Sequence, residues 1–431
     1  MERPAVRAAC GAALFGLGLW TLIRDVPAWN ALWYVFAWYG YLLALDALTQ
    51  RLGGRSFLVE RRAVLFPLLF WSIPFWYLYE LYNLALQNWY YVFVPRVEAW
   101  RLAMSFLAFA TVLPACLFHE ELVRARGWFA RARLPPLRVT AGLEAALVAA
   151  GAASMVLPLV LPRETFWLVW GVTLFLPDVV SRRLGAPSLL ADLEAGRPSR
   201  AMRLLAGGLI AGGAWEGLNY WARCKWIYTV PGLEESKLFE MPLLGFLGFP
   251  VLALGAFSSW SLLTHAVRAA PRGVFLAASA AALLFSFAAF EATEGRSVRS
   301  RRPALFELRG LGADEAERLV SAGVPTPEWL ERVDAAGTLE AVSARSGLDA
   351  AVLRGAARHA RLALHKGMGA GAAALLLDAG VENPAELARL DRRTLARRLH
   401  ALALSRGMRP PSEAEISVWR RASRASGRPA R

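Results

Sequence analysis

Two acid–amide pairs have the residue types and the spacing that could support chemistry inside a membrane. Glu80 precedes Asn83 by three residues and Glu216 precedes Asn219 by three, so each pair lies on one face of its predicted helix. Both pairs fall in apolar runs, where a carboxylate costs on the order of 3 kcal/mol and normally faces a cavity or a polar partner. The pairs are candidates for a substrate or ion site. Alternatively, they hydrogen-bond between helices and only hold them together.

An aromatic stretch that ends in proline follows each pair, at residues 89–95 and 226–231. These rings would cap a cavity at the outer membrane surface, and this interpretation makes Tyr90 and Trp226 further candidates for the site. The alternative is an aromatic belt, because tryptophan and tyrosine favour the headgroup level of a bilayer.

Signatures of other chemistry are absent from the sequence. It contains no G-x-x-x-x-G-K-[ST], H-E-x-x-H, G-x-S-x-G or C-x-x-C motif, and Cys10, Cys116 and Cys224 have neither paired nor metal-ligand spacing. Residues 119–121 (His-Glu-Glu) could offer metal donors, but the matching positions 255–257 read Gly-Ala-Phe, so a solvated helix end is the favoured interpretation. We therefore predict no metal site and no cofactor.

The elements that carry these residues are long apolar runs. The chain of 431 residues is 56% hydrophobic, with a mean hydropathy of +0.36. Because a helix needs about 20 apolar residues to cross a bilayer, we predict an all-α, polytopic helical membrane protein with about 8–9 spans. The predicted spans lie near residues 5–23, 28–49, 63–86, 98–119, 139–161, 165–181, 203–222, 241–266 and 273–290.

Arginines mark the predicted cytoplasmic side. They gather in the connections 51–62, 124–138 and 182–203, while the alternate connections are nearly neutral. An odd number of spans would place the C-terminus outside, whereas the arginines at positions 296–302 favour the inside. A re-entrant eighth run, broken by Pro242, Gly245, Gly248 and Pro250, would remove this conflict. We therefore expect a protein of the bacterial inner (cytoplasmic) membrane with its C-terminal domain in the cytoplasm.

The membrane region carries an internal duplication. Its matched residues are Asp46, Arg51, Leu52, Gly53, Ser56 and Leu58, which recur 132 positions later, and Glu80, Asn83, Pro95 and Pro114, which recur 136 positions later. The unit of about four helices is even, so the two copies are parallel, and transporters with such repeats bind substrate between the halves. We predict repeats at residues 1–136 and 137–270 and a final span at 271–292. Asp46 and Asp178 are expected to form interface ion pairs with Arg51 and Arg183.

Three segments of the membrane region carry a family resemblance. Residues 82–91 (YNLALQNWYY), 225–231 (KWIYTVP) and 239–245 (FEMPLLG) resemble a group of uncharacterised bacterial polytopic membrane proteins. The resemblance covers residues 28–260, and it implies a membrane protein without supplying a function.

A second duplication follows a basic linker at residues 293–303. Gly310, Gly312, the Ala-Gly-Val turn at 322–324 and Pro327 all recur 57 positions later. Glycine permits a tight hairpin and proline favours the first turn of a helix, so each copy predicts a helix, a hairpin and a helix. Residues 304–403 closely resemble tandem helix-hairpin-helix domains of the DUF4332 type.

That resemblance implies a possible phosphate-binding role for the hairpins. In many helix-hairpin-helix proteins, hairpin N–H groups hold a nucleic-acid phosphate. The corresponding candidates here are Gly310, Gly312, Gly367, Gly369, Arg309 and Lys366. We favour protein binding or self-association instead, because Asp314 and Glu315 stand where a phosphate would approach. Residues 404–431 are rich in arginine and are predicted to be disordered.

Three functions remain open from the sequence. A transporter or permease-like protein would have a site between the two repeats. A membrane-embedded lipid or isoprenoid-processing enzyme would use one carboxyl as a general acid. A membrane anchor or scaffold would act through the helix-hairpin-helix domain, with protein or nucleic acid as its partner. We favour the first function, with the lipid bilayer as surroundings and a small molecule or lipid as the unidentified substrate.

Overall fold

The computed structural model describes residues 3–24, 29–231 and 236–426, which are mostly helical. The chain forms two compact units. The membrane unit comprises Met1–Trp89 and Val97–Ser297, and the C-terminal unit comprises Tyr90–Arg96 and Val298–Arg431. The C-terminal unit is therefore discontinuous, because it includes a short segment that links two helices of the membrane unit.

The secondary structure of the membrane unit is almost entirely helical. Its helices are α1 (Pro4–Ile23), α2 (Trp33–Arg51), α3 (Arg62–Leu86), α4 (Glu98–Phe109), α5 (Val112–Ala125), α6 (Ala141–Val160), α7 (Pro162–Thr165), α8 (Phe175–Arg183), α9 (Leu189–Glu194), α10 (Ser199–Trp221), α11 (Gly248–Ala269) and α12 (Arg272–Ser297). Strand β1 (Trp89–Val92) begins at the last residue of the segment Met1–Trp89 and continues into the C-terminal unit. The short strands of the membrane unit are β2 (Lys225–Tyr228), β3 (Lys237–Leu238) and β4 (Met241–Pro242). Strands β3 and β4 pair antiparallel, with Lys237 opposite Pro242.

Six helices in the described ranges are long and apolar enough to cross a membrane. They are α1, α3, the α4–α5 stretch Glu98–Ala125, α6, the stretch Leu243–Ala269 that ends in α11, and α12. These helices are consistent with a membrane location. The other predicted spans coincide with α2, with the interrupted stretch from α7 to α8, and with α10. The total of about nine spans stays a prediction.

The eighth apolar run does not contain the expected break. Gly248–Ala269 is one continuous helix, and a 3-10 turn at Leu243–Leu247 precedes it. Pro250 lies in the first turn of α11, where a missing N–H breaks no helical hydrogen bond. Pro114 has the corresponding position in the first turn of α5. The re-entrant interpretation of this run is therefore wrong.

Two buried aspartates organise the connections that follow α2 and α8. Asp46 Oδ1 accepts a hydrogen bond from the Phe57 N–H at 2.7 Å, and Asp178 Oδ1 accepts one from the Leu189 N–H at 2.8 Å. Both donors lie eleven residues after their aspartate. The two connections thus share one local geometry, in which a carboxylate fixes the start of the next turn.

The expected partners of these aspartates are wrong. Asp46 forms an ion pair with the buried guanidinium of Arg7 at 3.1 Å rather than with Arg51. Asp178 accepts a hydrogen bond from the Ser258 hydroxyl at 3.0 Å. Arg183 pairs with Glu144 at 3.0 Å. The aspartates are therefore internal fixing points rather than members of surface ion pairs.

The C-terminal unit is a bundle of short helices. They are α13 (Ala313–Ser321), α14 (Pro327–Ala335), α15 (Leu339–Ser346), α16 (Ala350–Leu364), α17 (Gly369–Asp378), α18 (Pro384–Arg389), α19 (Arg392–Ser405) and α20 (Glu413–Ser426). Thr326 and Asn383 cap α14 and α18, and a proline is the first residue of each helix. Leucines such as Leu319, Leu330 and Leu353 are fully buried in its core.

The expected disorder after residue 404 is wrong for residues 413–426. They form α20, whose Ile416 and Trp419 are buried. The predicted boundaries at 292 and 303 also shift, because α12 continues to Ser297 and the residues after it belong to the C-terminal unit.

Candidate functional site

The first carboxylate site consists of Glu80, Asn83, Trp76 and Trp89 in the membrane unit. Glu80 is buried, and its Oε1 accepts hydrogen bonds from the indole N–H of Trp76 at 2.9 Å and of Trp89 at 3.1 Å. Trp76 lies one turn before Glu80 on α3, so helix geometry alone brings the two together. The glutamate is thus positioned by its own helix and by the loop that follows.

Asn83 fixes that loop. Its amide N–H donates to the carbonyl of Trp89 at 2.8 Å, and its Oδ1 accepts from the backbone N–H of Asn88 at 2.9 Å. Gln87, at the end of α3, has the left-handed conformation, with φ of 50°. The chain reverses here, and the indole of Trp89 is directed back to Glu80.

The second carboxylate site consists of Glu216, Asn219, Trp226 and Tyr228. Glu216 is fully buried, and its Oε1 accepts hydrogen bonds from the Trp226 indole at 3.3 Å and from the Tyr228 hydroxyl at 3.0 Å. Asn219 binds both the N–H and the carbonyl of Trp226, at 3.1 and 3.0 Å. The pattern of the first site is therefore repeated, with a tyrosine hydroxyl in place of the second indole.

One oxygen of the Glu216 carboxylate takes no part in the hydrogen bonds of the second site. Oε2 of Glu216 has no hydrogen-bond partner among the residues that the structure describes, although it is buried. Tyr34 packs edge-on against Trp226, with ring centroids 5.1 Å apart. A buried oxygen that lacks a partner is costly, and such atoms are often found where a proton or ligand binds.

Charged groups lie beside the second site. Lys237 donates to the carbonyl of Tyr228 at 2.7 Å, and Lys225 forms an ion pair with the buried Glu240 at 2.9 Å. These charges follow α10 in the chain. These residues give the Glu216 carboxylate a polar environment on this side.

Trp89, rather than the predicted Tyr90, is the aromatic residue after α3 that contacts Glu80. Tyr90 is buried but belongs to the C-terminal unit, whereas Trp89 contacts Glu80. The repeat does not favour Trp89, because the shift of 136 aligns Trp226 with Tyr90, and Trp89 follows its asparagine by six residues whereas Trp226 follows by seven.

Trp76, which was not predicted, could have been found from its spacing of four residues before Glu80 on one helix. Tyr228, also not predicted, lies twelve residues after Glu216 and beyond the end of α10, so its spacing gives no such signal.

The His-Glu-Glu stretch at the end of α5 is not solvated as expected. His119 is fully buried, and its ring nitrogens contact the Tyr41 hydroxyl and the Ala115 carbonyl, both at 2.7 Å. Glu120 forms an ion pair with Arg203 at 2.6 Å. Within the described ranges, no group of three His, Cys, Asp or Glu residues could hold a metal ion.

The first hairpin of the C-terminal unit uses its own acid as a cap. The N–H of Gly312 donates to Glu315 at 2.9 Å, and this bond lowers the pKa of the carboxyl. The guanidinium of Arg309 forms an ion pair with Asp378. The Gly312 N–H and the Arg309 guanidinium, both candidates for binding a phosphate, thus have partners inside the domain.

A histidine connects the two hairpins. His359 Nδ1 accepts from the Arg309 backbone N–H at 2.9 Å, so Nε2 is the protonated nitrogen that donates to Ala370 O at 2.8 Å. Burial lowers the pKa of His359, so the ring is neutral near pH 7.

The second hairpin is covered by polypeptide. Gly367 has φ of +75°, and a Cβ placed on it would lie 2.6 Å from Val92. The Ser300 hydroxyl donates to the carbonyl of Gly367 at 2.7 Å, and a Cβ on Gly369 would lie 2.6 Å from Ser300. Lys366 also has the left-handed conformation. The glycines serve close packing at this turn.

The covering segment Tyr90–Arg96 is held by the start of the C-terminal unit. The N–H of Arg299 donates to Tyr91 O at 2.8 Å, and the N–H of Val94 donates to Ser300 O at 3.2 Å. Arg96 forms an ion pair with Glu307 and lies over the ring of Phe306. Backbone pairing therefore integrates this segment into the fold of the C-terminal unit.

Comparison with known proteins identifies only the C-terminal part. No curated protein and no solved structure matches the chain. Residues 309–425 match DUF4332, a domain of unknown function, and the match extends through α19 and into α20. The family resemblance of residues 28–260 stays a prediction. The matched residues lie within the C-terminal unit.

Proposed function

We propose that this chain is a transporter or permease-like membrane protein that uses Glu80 and Glu216 as its ion-coupling groups. The observation that carries the proposal is the state of Glu216, which is fully buried and has one oxygen without a hydrogen-bond partner in the described structure. Ionisable residues inside membrane helices normally serve ion or proton pathways. The same local geometry at Glu80 supports a site that was duplicated together with its helices.

The arrangement suits a carboxylate that gains and loses a proton. When Glu216 is ionised, the Trp226 and Tyr228 donors stabilise one oxygen, and the other oxygen is available to a cation. When it is protonated, the same oxygen can carry the proton and donate it. Asn219 fixes the backbone of Trp226, whose indole binds Glu216. A change in the protonation of this carboxylate therefore acts directly on the loop that follows α10.

Proton flux into proteoliposomes tests the proposal. Vesicles that contain a pH-sensitive dye and potassium would receive valinomycin to create an inside-negative potential. Wild-type protein should acidify the lumen faster than empty vesicles, and Glu216→Gln should reduce the rate to that of empty vesicles. Glu144→Gln is the matched control, because Glu144 lies on α6 and pairs with Arg183 outside both sites. Equal flux through wild type and Glu216→Gln would contradict the proposal.

A second function concerns the C-terminal unit, which we propose binds protein rather than nucleic acid. The specific observation is that Val92 and Ser300 cover the second hairpin while Glu315 caps the first. Full-length wild-type protein in detergent should therefore bind a labelled DNA duplex no more tightly than the Glu315→Gln variant. In that variant the acid that caps the first hairpin is replaced, so the cap is weakened. Tight wild-type binding that falls steeply with added salt would favour the nucleic-acid alternative.

We further propose that the C-terminal unit lies on the extracytoplasmic side of the cytoplasmic membrane, contrary to the sequence expectation. Because α11 is continuous, the eighth apolar run counts as a full span, which supports an odd number of spans. With an odd number, the C-terminus and the arginine-rich connections are on opposite sides of the membrane. Segment Tyr90–Arg96 supports the same side independently, since it connects α3 to α4 and is part of the C-terminal unit. Alternation of spans puts this connection opposite the arginine-rich ones.

Cysteine labelling distinguishes the two sides. In a variant without the three native cysteines, Arg354→Cys should react with a membrane-impermeant maleimide in cells whose outer membrane has been permeabilised. Arg197→Cys should react only after the inner membrane is opened as well. Both side chains are largely exposed, at 54% and 62%, so access depends on the side alone. Labelling in the reverse order would place the C-terminal unit in the cytoplasm.

A further inference from the structure

A basic cleft lies at the ends of helices in the membrane unit, away from both carboxylate sites in the chain. Its volume is about 240 Å³. The residues that line it are Arg133, Asp192, Arg197, Ser199, Arg200 and Arg203. They come from two of the three arginine-rich connections, which the charge distribution assigns to the cytoplasmic side.

Backbone hydrogen bonds build the cleft by joining these two connections. The N–H of Leu134 donates to Gly196 O at 3.2 Å, and the N–H of Leu137 donates to Leu193 O at 3.0 Å. Gly196 has φ of +64°, and a Cβ there would lie 2.6 Å from the Leu134 carbonyl oxygen. Glycine is therefore needed for this approach, which brings Arg133 beside the turn before α10.

The arginines of the cleft exceed the acids that pair with them. Asp192 lies 3.2 Å from Arg200 and 3.9 Å from Arg197, and Glu120 pairs with Arg203 at 2.6 Å. These two carboxylates face four guanidinium groups. The Arg133 guanidinium donates to the neighbouring carbonyl of Ala132 and pairs with no carboxylate of the described residues, so its charge is uncompensated there.

The start of α10 adds to this positive potential. The helix is 23 residues long, begins at Ser199 and has no side-chain hydrogen bond at its N-cap. The first N–H groups of a helix are without internal partners and carry partial positive charge. They lie at the same cleft as the four arginines.

We propose that this cleft binds the phosphate of an anionic phospholipid headgroup. Guanidinium groups suit phosphate because they offer paired donors in a planar fork. A lipid fits better than free phosphate because the joined segment also exposes Leu134 and Leu137, at 53% and 38%. Basic pockets at the ends of membrane helices are the usual binding places for such headgroups.

Competition binding tests the proposal with full-length protein in detergent. The probe is a fluorescent phosphatidylglycerol, and its anisotropy reports binding. The double variant Arg133→Gln, Arg197→Gln should bind it about tenfold more weakly than wild type, since each arginine near a charged lipid surface contributes. Arg182→Gln, Arg183→Gln is the matched control, because it removes the same charge from the connection that carries Arg197, at positions outside the cleft.

The competitors separate lipid from other sources of phosphate. Unlabelled phosphatidylglycerol should displace the probe, whereas phosphatidylcholine should displace it at least tenfold less effectively. Displacement by inorganic phosphate at equal concentration would overturn the assignment to lipid. Equal losses in both double variants would indicate general charge attraction and overturn the site. Unchanged thermal unfolding of the variants checks that each is folded.

Discussion

Replacement of Gly367 by alanine should strongly destabilise the C-terminal unit. The backbone φ of +75° disfavours a Cβ by about 1–2 kcal/mol. The new methyl would also lie 2.6–2.7 Å from three atoms of Val92, including its Cβ, which no side-chain rotation can move away. Overpacking of this kind costs about 1–3 kcal/mol. We therefore expect a loss of about 2–5 kcal/mol in the free energy of unfolding.

Gly380→Ala is the matched control for this prediction. Its φ is +74°, but a Cβ there would meet nothing within 4 Å, so only the backbone cost of about 1–2 kcal/mol applies. Both variants would be unfolded in a urea series as full-length protein in detergent, and pulse proteolysis would quantify the folded C-terminal unit. Gly367→Ala should cost less in a Val92→Gly background than in wild type, because the side chain that it would overlap is absent there. Equal stability of the two alanine variants would refute the close packing of Val92 on the hairpin.

Three further predictions concern the buried polar groups. Asn219→Leu should lower the thermal unfolding midpoint through a loss of about 2 kcal/mol or more, because it leaves loop backbone groups unpaired; an unchanged midpoint would contradict the fixing role. Asp46→Asn should reduce the yield of folded protein in membranes more than Asp178→Asn, because Asp46, unlike Asp178, pairs with the buried guanidinium of Arg7; equal yields would oppose this. Burial lowers the pKa of His359 below 6.5, so the C-terminal unit should lose stability as pH falls through 6.5, and His359→Gln should weaken this dependence in urea unfolding.

The local geometry of the carboxylate sites was predictable from sequence spacing. A separation of three places glutamate and asparagine on one helix face, and the structure directs both residues toward the loop that follows. The choice of Tyr90 over Trp89 failed because side chains alternate in an extended segment, so adjacent residues point in opposite directions. A comparison of the two copies position by position also selects Tyr90, because the shift of 136 aligns it with Trp226.

Long-range partners could not be predicted in the same way. Nothing in the local pattern shows that Asp46 pairs with Arg7 rather than with the nearby Arg51, because this depends on how α1 packs. The backbone pairing of segment Tyr90–Arg96 joins residues about two hundred positions apart. The helix α20 was missed because its many arginines resemble a disordered tail, although Ile416 and Trp419 supply a buried apolar face.

The most direct test of the transport proposal is modification by dicyclohexylcarbodiimide, an apolar reagent that reacts with protonated carboxyl groups in membranes. Protein in proteoliposomes would be treated at several pH values, and mass spectrometry would locate the adducts. The proposal predicts an adduct on Glu216 that forms more slowly as pH rises and that blocks proton flux in proportion to its yield. An unmodified Glu216, or an adduct on it that leaves the flux unchanged, would contradict a role for this carboxyl in transport.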